Sequence, residues 1–176
     1  MDNKDQAAPV PNFGDLPEEY SNSKRSKIVI IPAPYEASTS YNTGTKKGPR
    51  AVIEASRHME TFDDELNQET FKNGIHTREP LNLDGLSPED MIKNLSAVVK
   101  ELAQSGKLPV VLGGEHTVSI APVTALKELH PELSVLYLDA HYDLRDELGG
   151  NRLSHACVAR RISEIAPLVE VGLRSS

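Results

Sequence analysis

Residues 136–145 of this chain read Leu-Tyr-Leu-Asp-Ala-His-Tyr-Asp-Leu-Arg, a short apolar run that ends in three potential metal ligands. In an extended backbone, side chains two residues apart share a face, so Asp139, His141 and Asp143 are predicted to point the same way. Neighbours on that face lie roughly 6.6 Å apart and metal–ligand bonds are only about 2 Å long, so these ligands suit a pair of metals better than one ion. Their mixture of oxygen and nitrogen atoms favours Mn(II), with Zn(II), Co(II) or Fe(II) as other candidates.

A second apolar run ends in a similar way. Residues 108–112 are Leu-Pro-Val-Val-Leu, and the tetrapeptide Gly-Gly-Glu-His follows at 113–116. The two glycines allow a tight turn, so His116 is predicted to lie at the carboxyl end of its strand, as Asp139 does. Ligands gather at the carboxyl ends of parallel strands, and His116 is therefore predicted to join the three ligands of the first stretch in one metal site. A solvated acidic strand end with a capping or core histidine is the alternative.

The rest of the chain alternates between strand and helix signals. Residues 28–31 (Ile-Val-Ile-Ile) are typical of a buried parallel strand. Ser87 is a predicted N-cap, with Pro88 in the first turn of a helix that ends at Gly106. Further strands are predicted near Ile75 and over 168–173, and further helices from Pro49, from Val118 and over about 155–166. This alternation predicts an α/β fold built on a parallel, doubly wound sheet.

The first 26 residues differ from the remainder. They are polar, contain prolines at positions 9, 11 and 17, and show no hydrophobic period. We expect a polar N-terminal arm over 1–26, loosely ordered and laid on a neighbouring subunit, followed by one domain over 27–176.

Composition limits the classes of function. The chain has 176 residues and a net charge of −7, with a pI near 5.4, which argues against nucleic acid as a partner. The single cysteine, Cys157, cannot form an intramolecular disulfide and is predicted to be a buried structural thiol. No apolar run of about 18 residues and no charged-then-apolar leader is present, so we predict a cytoplasmic protein without a membrane partner.

The two strand-end motifs, at 113–116 and 139–143, together resemble those of the ureohydrolases, the family of arginases and agmatinases. The resemblance continues through four further segments: 31–35 and 41–52 upstream, and 144–147 and 154–161 downstream. The downstream segments are similar to the agmatinase branch rather than to true arginases. The resemblance covers most of residues 27–175.

This resemblance implies a three-layer, doubly wound parallel sheet of the arginase type and a site for two Mn(II) ions. It implies that His116 and Asp143 hold one ion, that His141 holds the other, and that Asp139 bridges them. The implied reaction is attack of a metal-bound hydroxide on a small cationic guanidino substrate, with agmatine giving urea and putrescine. Another guanidino or formimino compound, such as guanidinobutyrate, is an alternative substrate. A homo-oligomer is also implied.

His155 is the predicted catalytic residue outside the metal ligands. Imidazole titrates near neutral pH, so a histidine at the rim of a metal crevice can shuttle protons, and the matching family position faces the substrate. Capping or packing is the alternative role for His155, and Ser154 before it is a predicted N-cap. Arg145 and Asp146 are predicted to form an ion pair that positions the loop.

One part of the family pattern is missing from the 176 residues. Ureohydrolases carry an Asp-x-Asp pair on a later strand and an acidic residue near the substrate guanidinium, and neither follows Leu173. The fold is therefore predicted to be incomplete in this chain, which represents its N-terminal part. A truncated, non-catalytic subunit is the alternative from a different functional class.

Overall fold

The computed structural model describes residues 11–175, so the first ten residues of the predicted arm lie outside the described part of the chain. The strands are Ile28–Ala33 (β1), Ile75–Thr77 (β2), Leu108–Gly113 (β3), Val135–Leu138 (β4) and Leu168–Val171 (β5). The α-helices are Glu18–Ser21 (α1), Gly48–Ser56 (α2), Pro88–Gln104 (α3), Ile120–Leu129 (α4) and Val158–Ser163 (α5). Short 3-10 helices span Phe13–Asp15, Thr45–Lys47, Thr70–Asn73, His116–Ser119 and His155–Cys157.

The strands form two parallel sheets. One has the order β2-β1-β3 and the other contains β4 and β5. β1 and β3 run in register from Ile28 opposite Leu108 to Ala33 opposite Gly113. Because all pairings are parallel and helices connect the strands, the predicted α/β class is confirmed. Within residues 11–175, β3 and β4 do not pair with each other.

Helix α3 shows how local sequence fixes an element. The Ser87 hydroxyl accepts a hydrogen bond of 3.1 Å from the backbone N–H of Asp90, as expected for an N-cap. Met91, Leu95 and Val99 recur every four residues and are fully buried, so one stripe of the helix faces the core. After the last turn, Gly106 takes a φ of 75°, a left-handed conformation that glycine adopts without strain.

The main core lies between the first sheet and helices α3 and α4. Its buried members are Ile31, Ala33, Tyr35, Leu83, Met91, Leu95, Val99, Val118, Ala121 and Ala125. Ile30 points to the opposite face of β1 and is also buried, and α2 packs on β1 and β3. The first sheet is therefore covered on both faces, which is what a parallel sheet requires.

The second sheet is covered on one face and open on the other. Tyr137 packs with Val158, Ala159 and Ile162 from α5. On the opposite face, four apolar side chains that are neighbours in the strand register are half or more exposed: Leu136, Leu138, Val169 and Val171. Within the described residues, this face of β4 and β5 is therefore not covered by another layer.

Residues 11–26 are not the loosely ordered arm that their composition predicts. The backbone N–H of Phe13 donates to the Thr77 hydroxyl at 2.9 Å, and Leu16 and Ser26 are buried. Tyr20 meets Phe71 edge to face, with ring centroids 5.2 Å apart. These contacts hold the described part of the arm against the domain, while the division of the chain at residue 26 stays a prediction.

Candidate metal centre

The turn after β3 positions His116. A side chain at Gly114 would place its Cβ 2.2 Å from the carbonyl oxygen of Tyr35, so only glycine fits there. The backbone N–H of Gly114 donates to Ala33 at 3.1 Å and that of Glu115 donates to Tyr35 at 2.9 Å. These hydrogen bonds fasten the turn to the end of β1, and His116 then begins a 3-10 helix.

The second stretch does not continue as an extended strand. β4 ends at Leu138, and Asp143 has a φ of 44° in the left-handed region. The predicted common face of Asp139, His141 and Asp143 is therefore wrong, because the backbone turns between these residues. The turn is held by the backbone N–H of Arg160, which donates to the Asp143 carbonyl at 3.1 Å.

Three of the four predicted ligands nevertheless converge. His116, Asp139 and Asp143 offer atoms that all lie within 4.8 Å of one another. His116 Nδ1 lies 3.0 Å from Asp143 Oδ2 and 3.5 Å from Asp139 Oδ2. The hydroxyl of Tyr137 donates to Asp143 Oδ2 at 3.0 Å. The carboxyl ends of β3 and β4 thus meet here, and we call His116, Asp139 and Asp143 the ligand cluster.

His141, the fourth predicted ligand, lies beside the ligand cluster rather than in it. Its Nδ1 is 3.0 Å from Asp139 Oδ1, and its backbone N–H donates to the same oxygen at 2.8 Å. Its side chain is 59% exposed. Asp139 therefore faces His116 with one oxygen and His141 with the other, while a ligand role for His141 stays a prediction.

The pKa values of Asp139, in the ligand cluster, and of Tyr137, beside it, are shifted from their ordinary values. Burial raises the pKa of Asp139, but the hydrogen bonds from His141 and the charges of His116 and His141 outweigh burial, so the net pKa is lowered. Burial raises the pKa of Tyr137 strongly, and the charge of Asp143 raises it further. Asp139 is therefore held as an anionic acceptor and Tyr137 as a neutral donor.

The donor atoms of the ligand cluster fit a divalent metal. Two carboxylates and one imidazole converge on a small volume, and this mixed oxygen and nitrogen set suits Mn(II) and other borderline ions. The carboxylate of Asp143 has an outer donor in Tyr137, which orients it as outer partners orient metal ligands.

A cleft of about 920 Å³ opens beside the ligand cluster. Its lining comes from the loop after β1, the turn after β3 and the loop after β4, including Ser40, Glu115, Tyr142 and His155. Asp143 and Arg145 also line the cleft, so side chains of both charge signs face any molecule bound there.

His155 lies at the rim of this cleft with both ring nitrogens in contact with hydroxyl groups. Nδ1 is 3.2 Å from Ser38 Oγ and Nε2 is 3.0 Å from Ser40 Oγ. Ser154 caps the short helix, as predicted, by accepting from the backbone N–H of Ala156. A catalytic role for His155 stays a prediction, and its place beside the ligand cluster's cleft is compatible with that role.

Glu115 and Ser38 were not predicted as functional residues. The Glu115 side chain is only 5% exposed and accepts hydrogen bonds from the backbone N–H groups of Ala37 and Ser38, both at 2.7 Å. The contact spans 77 residues, so no local pattern reveals it. The sequence feature that could have indicated a role for Glu115 is its place between the Gly113-Gly114 turn and the candidate ligand His116.

The predicted ion pair between Arg145 and Asp146 is wrong. Asp146 instead pairs with the buried Arg161 at 2.6 Å and with Arg152 at 3.1 Å. The hydrogen bond from Arg161 is the main reason that the pKa of Asp146 lies below its ordinary range. Asp146 therefore ties the loop after β4 to helix α5. Cys157, one residue before that helix, is buried as predicted.

Comparison with known proteins places this geometry in a family. The model of the arginase family matches residues 26–176. The chain belongs to the arginase family. It is 36% identical over 155 residues to an N(1)-aminopropylagmatine ureohydrolase of Synechocystis sp., a match that covers 84% of the chain and 51% of the relative. It is also 36% identical to an agmatinase of Pyrococcus horikoshii, over 86% of the chain and 53% of that protein.

Solved structures give the same result for the fold. The proclavaminate amidino hydrolase of Streptomyces clavuligerus superposes with a TM-score of 0.79 at 28% identity, over 95% of this chain and 57% of that one. The chain thus spans about half the length of the arginase-family proteins it matches. The predicted arginase-type fold, incomplete in this chain, is confirmed. In the described part of the chain, no helix is long and apolar enough to cross a membrane.

Proposed function

We propose that this chain forms the N-terminal part of a ureohydrolase that cleaves a guanidino C–N bond, with agmatine as the substrate and urea and putrescine as the products. The observation that carries the proposal is the convergence of His116, Asp139 and Asp143 at the strand ends beside a cleft. Membership of the arginase family supports the chemistry, and the agmatinases among the relatives support the substrate.

We further propose that the centre takes two Mn(II) ions when the site is complete. His116 and Asp143 would hold one ion, His141 the other, and Asp139 both. Metal ions of this kind acidify a water molecule so that hydroxide is available near neutral pH. The two oxygens of Asp139, which face His116 and His141 separately, suit a carboxylate shared between two ions.

The side chains of this chain would do the remaining chemistry. Tyr137 would keep Asp143 oriented by donating to Oδ2. His155 would first take up a proton at Nε2 from the attacking water and then pass that proton to the leaving amine, since Nε2 lies beside the Ser40 hydroxyl at the cleft.

The edges of β3 and β4 that have no partner strand within residues 11–175 would receive the rest of the fold. Two cavities of about 520 and 280 Å³ lie along these edges and share His116, Ser119 and Pro122 in their linings. We propose that further strands of the family fold fill this gap and bring the Asp-x-Asp pair to the ligand cluster. A homo-oligomer in the cytoplasm remains the predicted setting.

The test is a substrate panel. Protein expressed from the complete coding sequence is loaded with Mn(II) and assayed for urea released from agmatine, N(1)-aminopropylagmatine, guanidinobutyrate and arginine. We expect agmatine to be the best substrate and Asp139→Asn to abolish turnover. The aminopropyl compound is included because several relatives are named for it. A preference for it would replace agmatine by N(1)-aminopropylagmatine as the proposed substrate. Absence of urea from every guanidino compound would reject the proposed reaction.

A further inference from the structure

The Glu115 carboxylate is a buried acceptor with four donors. Oε2 accepts from the backbone N–H groups of Ala37 and Ser38, both at 2.7 Å. Oε1 accepts from the hydroxyls of Ser38 at 2.9 Å and Thr117 at 2.8 Å. Since a carboxylate oxygen can only accept, the proton between Glu115 and Ser38 must be the hydroxyl proton of Ser38.

That assignment fixes what Ser38 can offer to His155. A serine hydroxyl has one proton and two lone pairs, and the proton is committed to Glu115. Ser38 Oγ must therefore act as an acceptor towards its other neighbours. These are the backbone N–H of His155 at 3.0 Å and the Nδ1 atom of His155 at 3.2 Å.

We infer that Glu115, acting through the Ser38 hydroxyl, holds the neutral imidazole of His155 in the tautomer with its proton on Nδ1. Nε2 is then left without a proton and accepts from the Ser40 hydroxyl at 3.0 Å. Glu115 and Ser38 are positioning residues in this arrangement, because Glu115 acts on the ring only through the Ser38 hydroxyl and Ser38 contacts Nδ1, not Nε2. The tautomer is set by a carboxylate forty residues away in sequence from His155, not by the helix that carries His155.

Ser154 is the other hydroxyl near this nitrogen. Its Oγ lies 3.3 Å from Nδ1 and also accepts from the backbone N–H of Ala156 at 3.5 Å. Since its own proton is not committed to a carboxylate, Ser154 can adapt to either tautomer as donor or acceptor. The Ser38 contact therefore decides between the tautomers, and Ser154 does not.

The catalytic meaning of this tautomer rests on the proposed function. A histidine that moves a proton at the cleft needs its lone pair on the nitrogen that faces the cleft, which is the Nε2 atom here. The tautomer itself is a property of the hydrogen-bond network and can be measured without substrate or metal. A failure of the tautomer assignment is thus separate from a failure of the proposed reaction.

The decisive variant is Glu115→Gln, which keeps the shape and changes one acceptor into a donor. The two backbone N–H groups at the Oε2 position require the amide oxygen there, so the amide N–H₂ group faces Ser38 and Thr117. The amide then donates to Ser38 Oγ, which frees the Ser38 proton to donate to Nδ1 of His155. The neutral ring is expected to switch to the tautomer with its proton on Nε2.

The measurement is the nitrogen chemical shifts of labelled imidazole rings in protein expressed from the complete coding sequence, without metal and in solution. His155→Gln assigns the signals. We expect protonated Nδ1 and bare Nε2 in the unmodified chain, exchange of these two signals in Glu115→Gln, and no change in Ser154→Ala.

Ser38→Ala provides a second route if Glu115→Gln fails to fold. It removes the acceptor, so the preference for one tautomer should be lost while the backbone spectrum is retained. A bare Nδ1 in the unmodified chain overturns the assignment. A tautomer that survives in Ser38→Ala or in folded Glu115→Gln overturns it as well.

Discussion

Asp139 is the residue on which both proposed metal positions depend. Its Oδ2 is 3.5 Å from His116 Nδ1 and its Oδ1 is 3.0 Å from His141 Nδ1, so loss of its charge affects both positions. His141→Asn removes a donor from one position only. We expect Asp139→Asn to weaken Mn(II) binding beyond the roughly 10–100-fold loss typical of an outer partner, and His141→Asn to weaken it less. Bound Mn(II) per chain after dialysis measures the difference, and equal losses would contradict the bridging role.

Asp146 gives a prediction for stability against pH. Its pKa is lowered from the ordinary value of 3.8, mainly by the hydrogen bond from Arg161. A carboxyl group whose pKa is lowered on folding stabilises the fold above its unfolded-state pKa, and this contribution is lost as pH falls through the folded-state pKa. Asp146→Asn should therefore lower the melting temperature at neutral pH, and its difference from the unmodified chain should close below about pH 4.

The control for Asp146 is an aspartate in an exposed ion pair. Asp84 pairs with Lys46 at 3.1 Å, and both side chains are about half exposed or more, whereas the side chain of Arg161 is 8% exposed. Exposed ion pairs contribute little. Asp84→Asn should therefore change the melting temperature less than Asp146→Asn does. A larger effect of Asp84→Asn, or a difference for Asp146→Asn that persists in acid, would count against this account.

At the scale of elements, the turn after β3 determines whether the site forms. In Gly114→Ala the new Cβ would lie 2.2 Å from the Tyr35 carbonyl oxygen, and the backbone must move to relieve the clash. We expect unfolding to become easier by about 1–3 kcal/mol or more, with weaker metal binding because His116 moves. Denaturant titration and Mn(II) binding test this.

A matched glycine lies at the start of α2. A Cβ at Gly48 would meet the carbonyl oxygen of Gly113 at 3.6 Å, an ordinary contact. Gly48→Ala should therefore be neutral, or stabilising by up to about 1 kcal/mol. If both alanine variants behave alike, the close approach of Gly114 to Tyr35 is not what holds the turn.

The elements differ in how far the sequence predicts them. Helix α3 is specified locally, because its cap, its proline and its apolar stripe lie within eighteen residues, and its bounds agree with the prediction. β4 was predicted to continue through Asp143, but the left-handed φ of Asp143 has no glycine to signal it. The contact of Glu115 with Ser38 joins distant positions in two loops. A single sequence carries no record of such pairs, since they depend on how parallel strands bring their ends together.

On the scale of the whole molecule, unpaired strand edges and an exposed apolar sheet face both mark places where further elements of the fold would pack. The edges of β3 and β4 are unpaired within residues 11–175, and one face of β4 and β5 exposes apolar side chains, with Leu138 73% exposed. The arginase-family relatives are about twice as long as this chain. Strands in the gap and a layer on the open face would therefore complete the fold. Unpaired edges and exposed apolar surface also favour aggregation of the chain by itself.

Metal stoichiometry tests the incomplete site directly. His116, Asp139, His141 and Asp143 cannot fill the coordination of two ions, so a second ion would depend mostly on water. We expect the isolated 176-residue chain to bind at most about one Mn(II), weakly, and to release negligible urea from agmatine. Protein from the complete coding sequence, if it continues into an Asp-x-Asp strand, should bind two ions, remain soluble and release urea. Titrating both proteins with Mn(II) and assaying both for urea separates these outcomes, because robust turnover by the 176 residues alone would mean that this chain's own side chains complete the site.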